Sequence, residues 1–189
     1  MQDNRLVVML EIAFMTGLAI IFSYIEISAP WAMGGSISFI MIPIFIIAFR
    51  RGWKAGVTTG FLTGILQMLF GAIIVHPIQF IIEYPVAYAV LGLAGLFVKG
   101  DHFKKAVPAA LITLGVAFGT LLRFIDHFGA GLIWFGEYAP AGMPVAVYSA
   151  VYNASYLVPE MLITIVVVIL ISKYRPQFFY EARRMQSAA

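Results

Sequence analysis

The chain has no cysteine, so it can form neither a disulfide nor a thiolate metal site. It is also poor in charge: only 11% of its 189 residues are Asp, Glu, Lys or Arg. A soluble domain carries about a quarter, so a separate soluble domain is excluded. The HExxH helix, the GxSxG elbow and the glycine-rich lysine loop of P-loop ATPases are all missing. Nothing in the pattern is therefore catalytic, no metal site is expected, and the chain cannot hydrolyse ATP through a P-loop. Uphill transport would need an ion gradient or a partner subunit. No internal repeat stands out, so an inverted-repeat transporter finds no support.

What is present is apolar: 62% of the residues are hydrophobic. About 20 such residues cross a bilayer as a helix. Six spans are expected, at Leu6–Ile27, Ile37–Phe49, Trp53–Ile74, Ile78–Val98, Val107–Trp134 and Val145–Ser172. They make one all-α membrane domain over residues 1–189. The first run is longer than a signal-peptide core and lacks a small-x-small cleavage site, so it reads as a span. The second is short and contains Pro43, which predicts a tilted, broken or partly interfacial segment.

Basic residues flank the spans unevenly. Arg5, then Arg50, Arg51 and Lys54, then Lys99, Lys104 and Lys105, then Lys173, Arg175, Arg183 and Arg184 alternate with three loops free of Lys and Arg. Those loops are Ser28–Ser36, the stretch around Val75–Pro77, and Phe135–Pro144. The positive-inside rule then makes both termini cytoplasmic. The net charge of +3 is explained by this topology, and no nucleic-acid partner is expected.

Orientation assigns depth to the polar residues. Glu83 lies inside an apolar run, about 8 Å below the outer boundary at 1.5 Å per residue. A charge at membrane depth costs roughly 2.5–3.5 kcal/mol, so a task and a partner are expected for it. Arg123, His127, Gly131 and Trp134 share one helical face, and Ser149, Asn153, Tyr156 and Glu160 another. Tyr148 falls well away from Asn153 on an ideal helix, so both meet one pocket only if the last span begins irregularly. The Ala29–Gly35 stretch lies above, with Trp31 as a lid.

A carboxylate among aromatic rings suits an organic cation, at about 0.5–2 kcal/mol per cation–π contact. Asn, Tyr and His add groups that read the edge of a heterocycle. Each residue has a plainer reading. Glu83 could pair with Arg123, and His127 could bond a carbonyl between helices. Asp126 reads as neutralising Arg123. Trp31, Trp134, Tyr138 and Tyr148 fit an interfacial aromatic belt. Glu160, beside Pro159, reads as packing or capping backbone.

The order Ile-Glu-Tyr at Ile82–Tyr84, Arg-Phe-x-x-His-Phe at Arg123–Phe128 and Tyr-Ser-x-x-Tyr-Asn at Tyr148–Asn153 resembles a known family. It is the thiamine-specific substrate-binding (S) component, ThiT, of energy-coupling factor (ECF) vitamin transporters. Arg50–Gly52 and Arg175–Phe179 are similar to it as well. The resemblance implies a subunit of the bacterial cell membrane that captures thiamine from outside with high affinity and topples during transport. It also implies assembly with a transmembrane coupling protein and two cytoplasmic ATPases, which alone use ATP; the chain itself needs no cofactor. By the resemblance Glu83 meets the thiamine cation. Tyr84, His127, Tyr148 and Asn153 line the pocket, Gly131 leaves room for ligand, and Trp31 belongs to the gating loop. The family's stacking tryptophan would fall at Phe135, while the tryptophan here is Trp134, so either could stack. The family's Ala-x-x-x-Ala surface for the coupling protein reads Ala13-Phe-Met-Thr-Gly17, which also fits ordinary packing within the bundle.

Two other functions compete. One is an S component for another vitamin or a thiamine precursor; an anionic vitamin would want basic residues at the outer site, and the outer loops have none. The other is a stand-alone proton-coupled transporter or intramembrane enzyme relaying through Glu83, His127 and Glu160. A relay needs polar groups across the membrane, whereas this cluster stops partway.

Overall fold

The computed structural model describes residues 2–28, 35–70, 72–98 and 106–180. Helix α1 (Gln2–Ser23) leads into a two-strand ribbon in which β1 (Glu26–Ile27) pairs antiparallel with β2 (Ile37–Ser38), Glu26 opposite Ser38. Helices α2 (Met41–Arg51) and α3 (Trp53–Gln67) follow, separated by Gly52 alone. Helix α4 (Pro77–Phe97), α5 (Ala109–Trp134) and α6 (Val145–Tyr174) complete the described fold.

By length and hydropathy α1 (from Arg5), α4, α5 and α6 are able to cross a membrane. Their faces are inverted relative to a soluble helix. In α6, Val151, Val158, Leu162 and Val166 point outward while Ser149, Asn153, Glu160 and Thr164 are buried. In α5, Leu121, Ile125 and Ile133 point outward while Arg123 and His127 are buried. Such a helix suits an apolar solvent, with its polar stripe turned to its neighbours.

The shortest of these helices is the core. Met41, Ile44, Phe45, Ile47, Ala48 and Phe49 of α2 are fully buried, and α2 touches α1, α3, α4 and α6. Of the alternatives weighed for this segment, a break at Pro43 does not form. The proline sits in the first turn, where backbone N–H groups have no intrahelical acceptor to lose.

The third expected span stops at Gln67 instead of reaching Ile74. The chain beyond it is held by side chains of α4. Tyr84 Oη accepts from Ile73 N at 2.9 Å, Gln79 Oε1 accepts from Val75 N at 3.2 Å, and Gln79 Nε2 donates to Ile73 O at 3.1 Å. Helices α3 and α4 meet backbone to backbone along Gly56, Gly60 and Gly64. A Cβ at Gly60 would lie 2.1 Å from Tyr88 O, so no larger residue fits there without parting the helices.

Proline shapes α4 directly. Pro85 has no N–H for the α-helical bond, and the helix widens into a π-turn over Ile82–Val86 before tightening to 3-10 geometry at Val90–Phe97. Glu83 and Tyr84 lie on that widened turn.

Candidate functional site

A cavity of about 290 Å³ opens where the β ribbon, the end of α3 and the polar faces of α4, α5 and α6 converge. Seven of the expected site residues line it: Glu83, Tyr84, His127, Gly131, Phe135, Tyr148 and Asn153. Trp31 lies outside the described residues. Ala13 and Gly17 lie apart on α1, where both are exposed and a Cβ on Gly17 would meet open space.

Among the described residues, Glu83 has no lysine or arginine within hydrogen-bond reach. One oxygen lies 3.3 Å from His127 Nδ1, and the other accepts from Gln79 Nε2. Arg123 takes a different carboxylate. Its Nη1 lies 3.5 Å from Glu160 Oε2, its Nη2 donates to Tyr88 Oη at 3.2 Å, and its Nε donates to His127 Nε2 at 3.2 Å. The guanidinium also sits 4.4 Å from the centre of the Tyr88 ring.

Neither pairing weighed for Arg123 from the sequence forms. Among the described residues no ion pair joins it to Glu83 or to Asp126, and Asp126 Oδ2 is buried without a hydrogen-bond partner. Glu160 does cap backbone, accepting from Ser38 N at 3.0 Å, but it also takes the Ser38 hydroxyl at 2.5 Å and binds Arg123. It is thus the guanidinium's counter-ion and part of the cavity wall.

The α6 wall is a second network. Tyr156 Oη donates to Asn153 Oδ1 at 2.6 Å, and Asn153 Nδ2 donates to Ser149 O at 2.9 Å and to His127 O at 3.4 Å. Tyr148 and Asn153 both reach the cavity although α6 starts regularly at Val145. The cavity wraps an arc of the helix that includes Ser149 and Tyr152, so no irregular start is needed.

Gly131 lines the cavity, and a Cβ there would lie 2.1 Å from Ser149 Oγ, so this glycine also lets α5 and α6 pack closely. Trp134 is the last residue of α5 and stacks on His76, ring centres 5.6 Å apart, away from the cavity lining. The backbone then leaves helical geometry at Phe135, which turns into the cavity.

The sequence reading missed Gln79, Tyr88, Tyr152, Ser38 and Glu26 on the cavity wall. Gln79 precedes Glu83 by one helical turn, a signal that was available. Three carboxylates, Glu26, Glu83 and Glu160, line the cavity beside one guanidinium that Glu160 already engages. Such a wall favours a cation with polar edges and ring faces.

The sequence pattern described as "Thiamine transporter protein" matches residues 9–180. The chain belongs to this family. It is 40% identical over 185 residues to the thiamine transporter ThiT of Bacillus subtilis strain 168, covering 93% of this chain and 95% of that one. It is 35% identical over 192 residues to the thiamine transporter ThiT of Lacticaseibacillus paracasei, covering 94% and 92%. A solved structure of ThiT from Listeria monocytogenes superposes with a TM-score of 0.82 at 31% identity, covering 93% of this chain and 98% of that chain. With these bacterial relatives and its four long apolar helices, the chain is a helical membrane protein of the thiamine transporter family. Its named relatives are transporters, and it is not an enzyme.

Proposed function

We propose that the chain is the thiamine-binding S component of an ATP-driven ECF importer, capturing thiamine from outside the cell with high affinity. The observation that carries this reading is Glu83: a carboxylate on a cavity wall, held by Gln79 and His127 while Arg123 is engaged by Glu160. Thiamine carries a permanent thiazolium charge, and its aminopyrimidine offers donors and acceptors. Glu83 answers the charge, while Asn153, Tyr148, Tyr84 and His127 answer the edges and faces. The stacking face is Phe135.

The outward orientation is supported by the loops beside the cavity. Its lining includes Gly35, Ser36, Ile73 and Phe135, which lie in or beside the three stretches free of Lys and Arg. Arg50 and Arg51 stand at the far end of α2, which fits cytoplasmic termini. Ala13 and Gly17, one turn apart on the outward side of α1, form the docking surface for the coupling protein. The ATPase pair supplies the energy that this sequence has no motif to supply.

Calorimetry on the detergent-purified chain, with thiamine, its pyrimidine fragment, riboflavin and biotin as titrants, tests the ligand. Submicromolar binding of thiamine alone is expected; silence at micromolar thiamine would sink the reading. Reconstitution tests the energy source. Uptake into liposomes that needs the ATPase subunits supports ECF coupling, and uptake by the chain alone under a pH step refutes it.

A further inference from the structure

We propose that Arg123 is a positioning residue for the ligand-facing carboxylate: it fixes His127 as the Nδ1–H tautomer that holds Glu83, while Glu160 keeps the guanidinium off that carboxylate. The inference deepens the cation-binding reading of Glu83 and rests on it.

The argument is one of donors and acceptors. A guanidinium has five N–H donors, no acceptor, and does not lose its proton in a protein. The imidazole nitrogen 3.2 Å from Arg123 Nε is therefore an acceptor and carries no hydrogen. A neutral imidazole has one acceptor and one donor, so the hydrogen sits on Nδ1. Nδ1 is the nitrogen 3.3 Å from Glu83 Oε1. Protonating His127 on both nitrogens would set one N–H against another. While Arg123 stays in place the ring is neutral, and Glu83 keeps its whole charge for a ligand.

Arg123 stays in place because its other edge is fixed. Tyr88 lies under it and accepts from Nη2, and Glu160 pairs with Nη1. Glu160 is in turn fixed by the backbone N–H and hydroxyl of Ser38 on β2. Arg123, Glu160, Tyr88 and Ser38 are all buried at the cavity wall, so these bonds are only weakly screened by water. The chain Ser38–Glu160–Arg123–His127–Glu83 thus assigns the single guanidinium to one carboxylate and leaves the other to the cavity. A lysine here would keep the charge but lose the planar fork that serves three partners at once.

The test is nitrogen NMR of the full-length chain in detergent with ¹⁵N-histidine, paired with thiamine calorimetry. The chain has 3 histidines, and the His127 signals are those that vanish in His127→Gln. The wild type is expected to show a protonated Nδ1 and a bare Nε2. Arg123→Lys is expected to lose that pattern and to bind thiamine about tenfold more weakly, the size of one hydrogen bond to a charged group. Glu160→Gln is expected to weaken both the tautomer pattern and the affinity, as the released guanidinium leaves His127 Nε2 and competes for Glu83. A purely structural Arg123 would leave the tautomer unmoved. An Arg123→Lys protein with wild-type tautomer and affinity overturns the proposal. So does a wild-type spectrum showing Nε2–H or imidazolium, which needs no variant to fold. A wild type with the Nδ1–H pattern that ignores thiamine supports the positioning and refutes the ligand assignment instead.

Discussion

Two carboxylates, each on a helix long and apolar enough to cross a membrane, are treated in opposite ways by this protein. Glu11, on α1, receives both guanidiniums at the end of α2: Arg50 Nη2 at 2.9 Å and Arg51 Nε at 2.6 Å. Arg50 also lies 4.3 Å from the ring centre of Phe178 and donates to its carbonyl, which ties the C-terminal segment in. Glu83, near the other end of α2, is held by an amide and an imidazole and borders a cavity. The eleven residues of α2 separate the two clusters by about 16 Å. A buried charge by itself does not mark a binding site. What marks it is the lack of a guanidinium or ammonium partner beside open volume. Glu11 is a clamp, whereas Glu83 is half of an ion pair whose other half comes from outside.

The sharpest way to break this comparison is to neutralise each carboxylate in turn. Glu83→Gln is expected to weaken thiamine binding by about a hundredfold, the range for losing a buried charged partner. Its thermal midpoint without ligand should stay near that of the wild type. Glu11→Gln should do the reverse. Its carboxylate is part-exposed, so the loss is discounted to about 1–2 kcal/mol, a fall of roughly 5 °C, with thiamine affinity unchanged. Equal effects of the two variants on binding would dissolve the distinction.

The next largest effect is expected where the two cavity helices touch. Gly131→Ala forces a methyl onto Ser149, and overpacking of that kind costs about 1–3 kcal/mol. Ser149 also donates to Phe128 O and accepts from Asn153, so α6 must shift the cavity wall to make room. Lower thermal stability and weaker thiamine binding should appear together. A variant that loses affinity at full stability would assign Gly131 the role of leaving space for ligand rather than that of packing.

How much of this was legible beforehand follows the range of the interactions. The stripe Ser149, Asn153, Glu160 and the pair Arg123, His127 are one-helix patterns, and periodicity exposes them. The choice of Glu160 over Glu83 or Asp126 as the partner of Arg123 is not such a pattern. It joins residues on different helices, and Ser38, which holds Glu160, comes from a two-residue strand with no sequence signal. The early end of α3 was hidden for the same reason, since Gln79 and Tyr84 capture backbone at 73 and 75 from the following helix. A break at Pro43 stayed open from the sequence because the effect of a proline depends on its position in the helix, and the start of α2 is fixed by what precedes it.

The smallest contrast concerns the two adjacent aromatics at the end of α5. Spacing alone could not separate them, because a helix continued through Phe135 would turn the two rings about 100° apart and leave either free to face ligand. The helix does not continue. Trp134 closes it and stacks on His76, whose Nδ1 accepts from Ile78 N at the start of α4, so the indole braces α4 against α5. Phe135 sits beyond the last turn with φ −117° and ψ 15°, on the cavity wall. Phe135→Ala should therefore weaken thiamine binding several-fold to tenfold, the size of a lost ring contact with a cation. Trp134→Ala should leave affinity within about twofold and lower stability by about 1 kcal/mol through the lost stack. Calorimetry of the two variants reads the difference directly. If Trp134→Ala is the weaker binder, the indole reaches the ligand, and the wall of the cavity is drawn one residue too late.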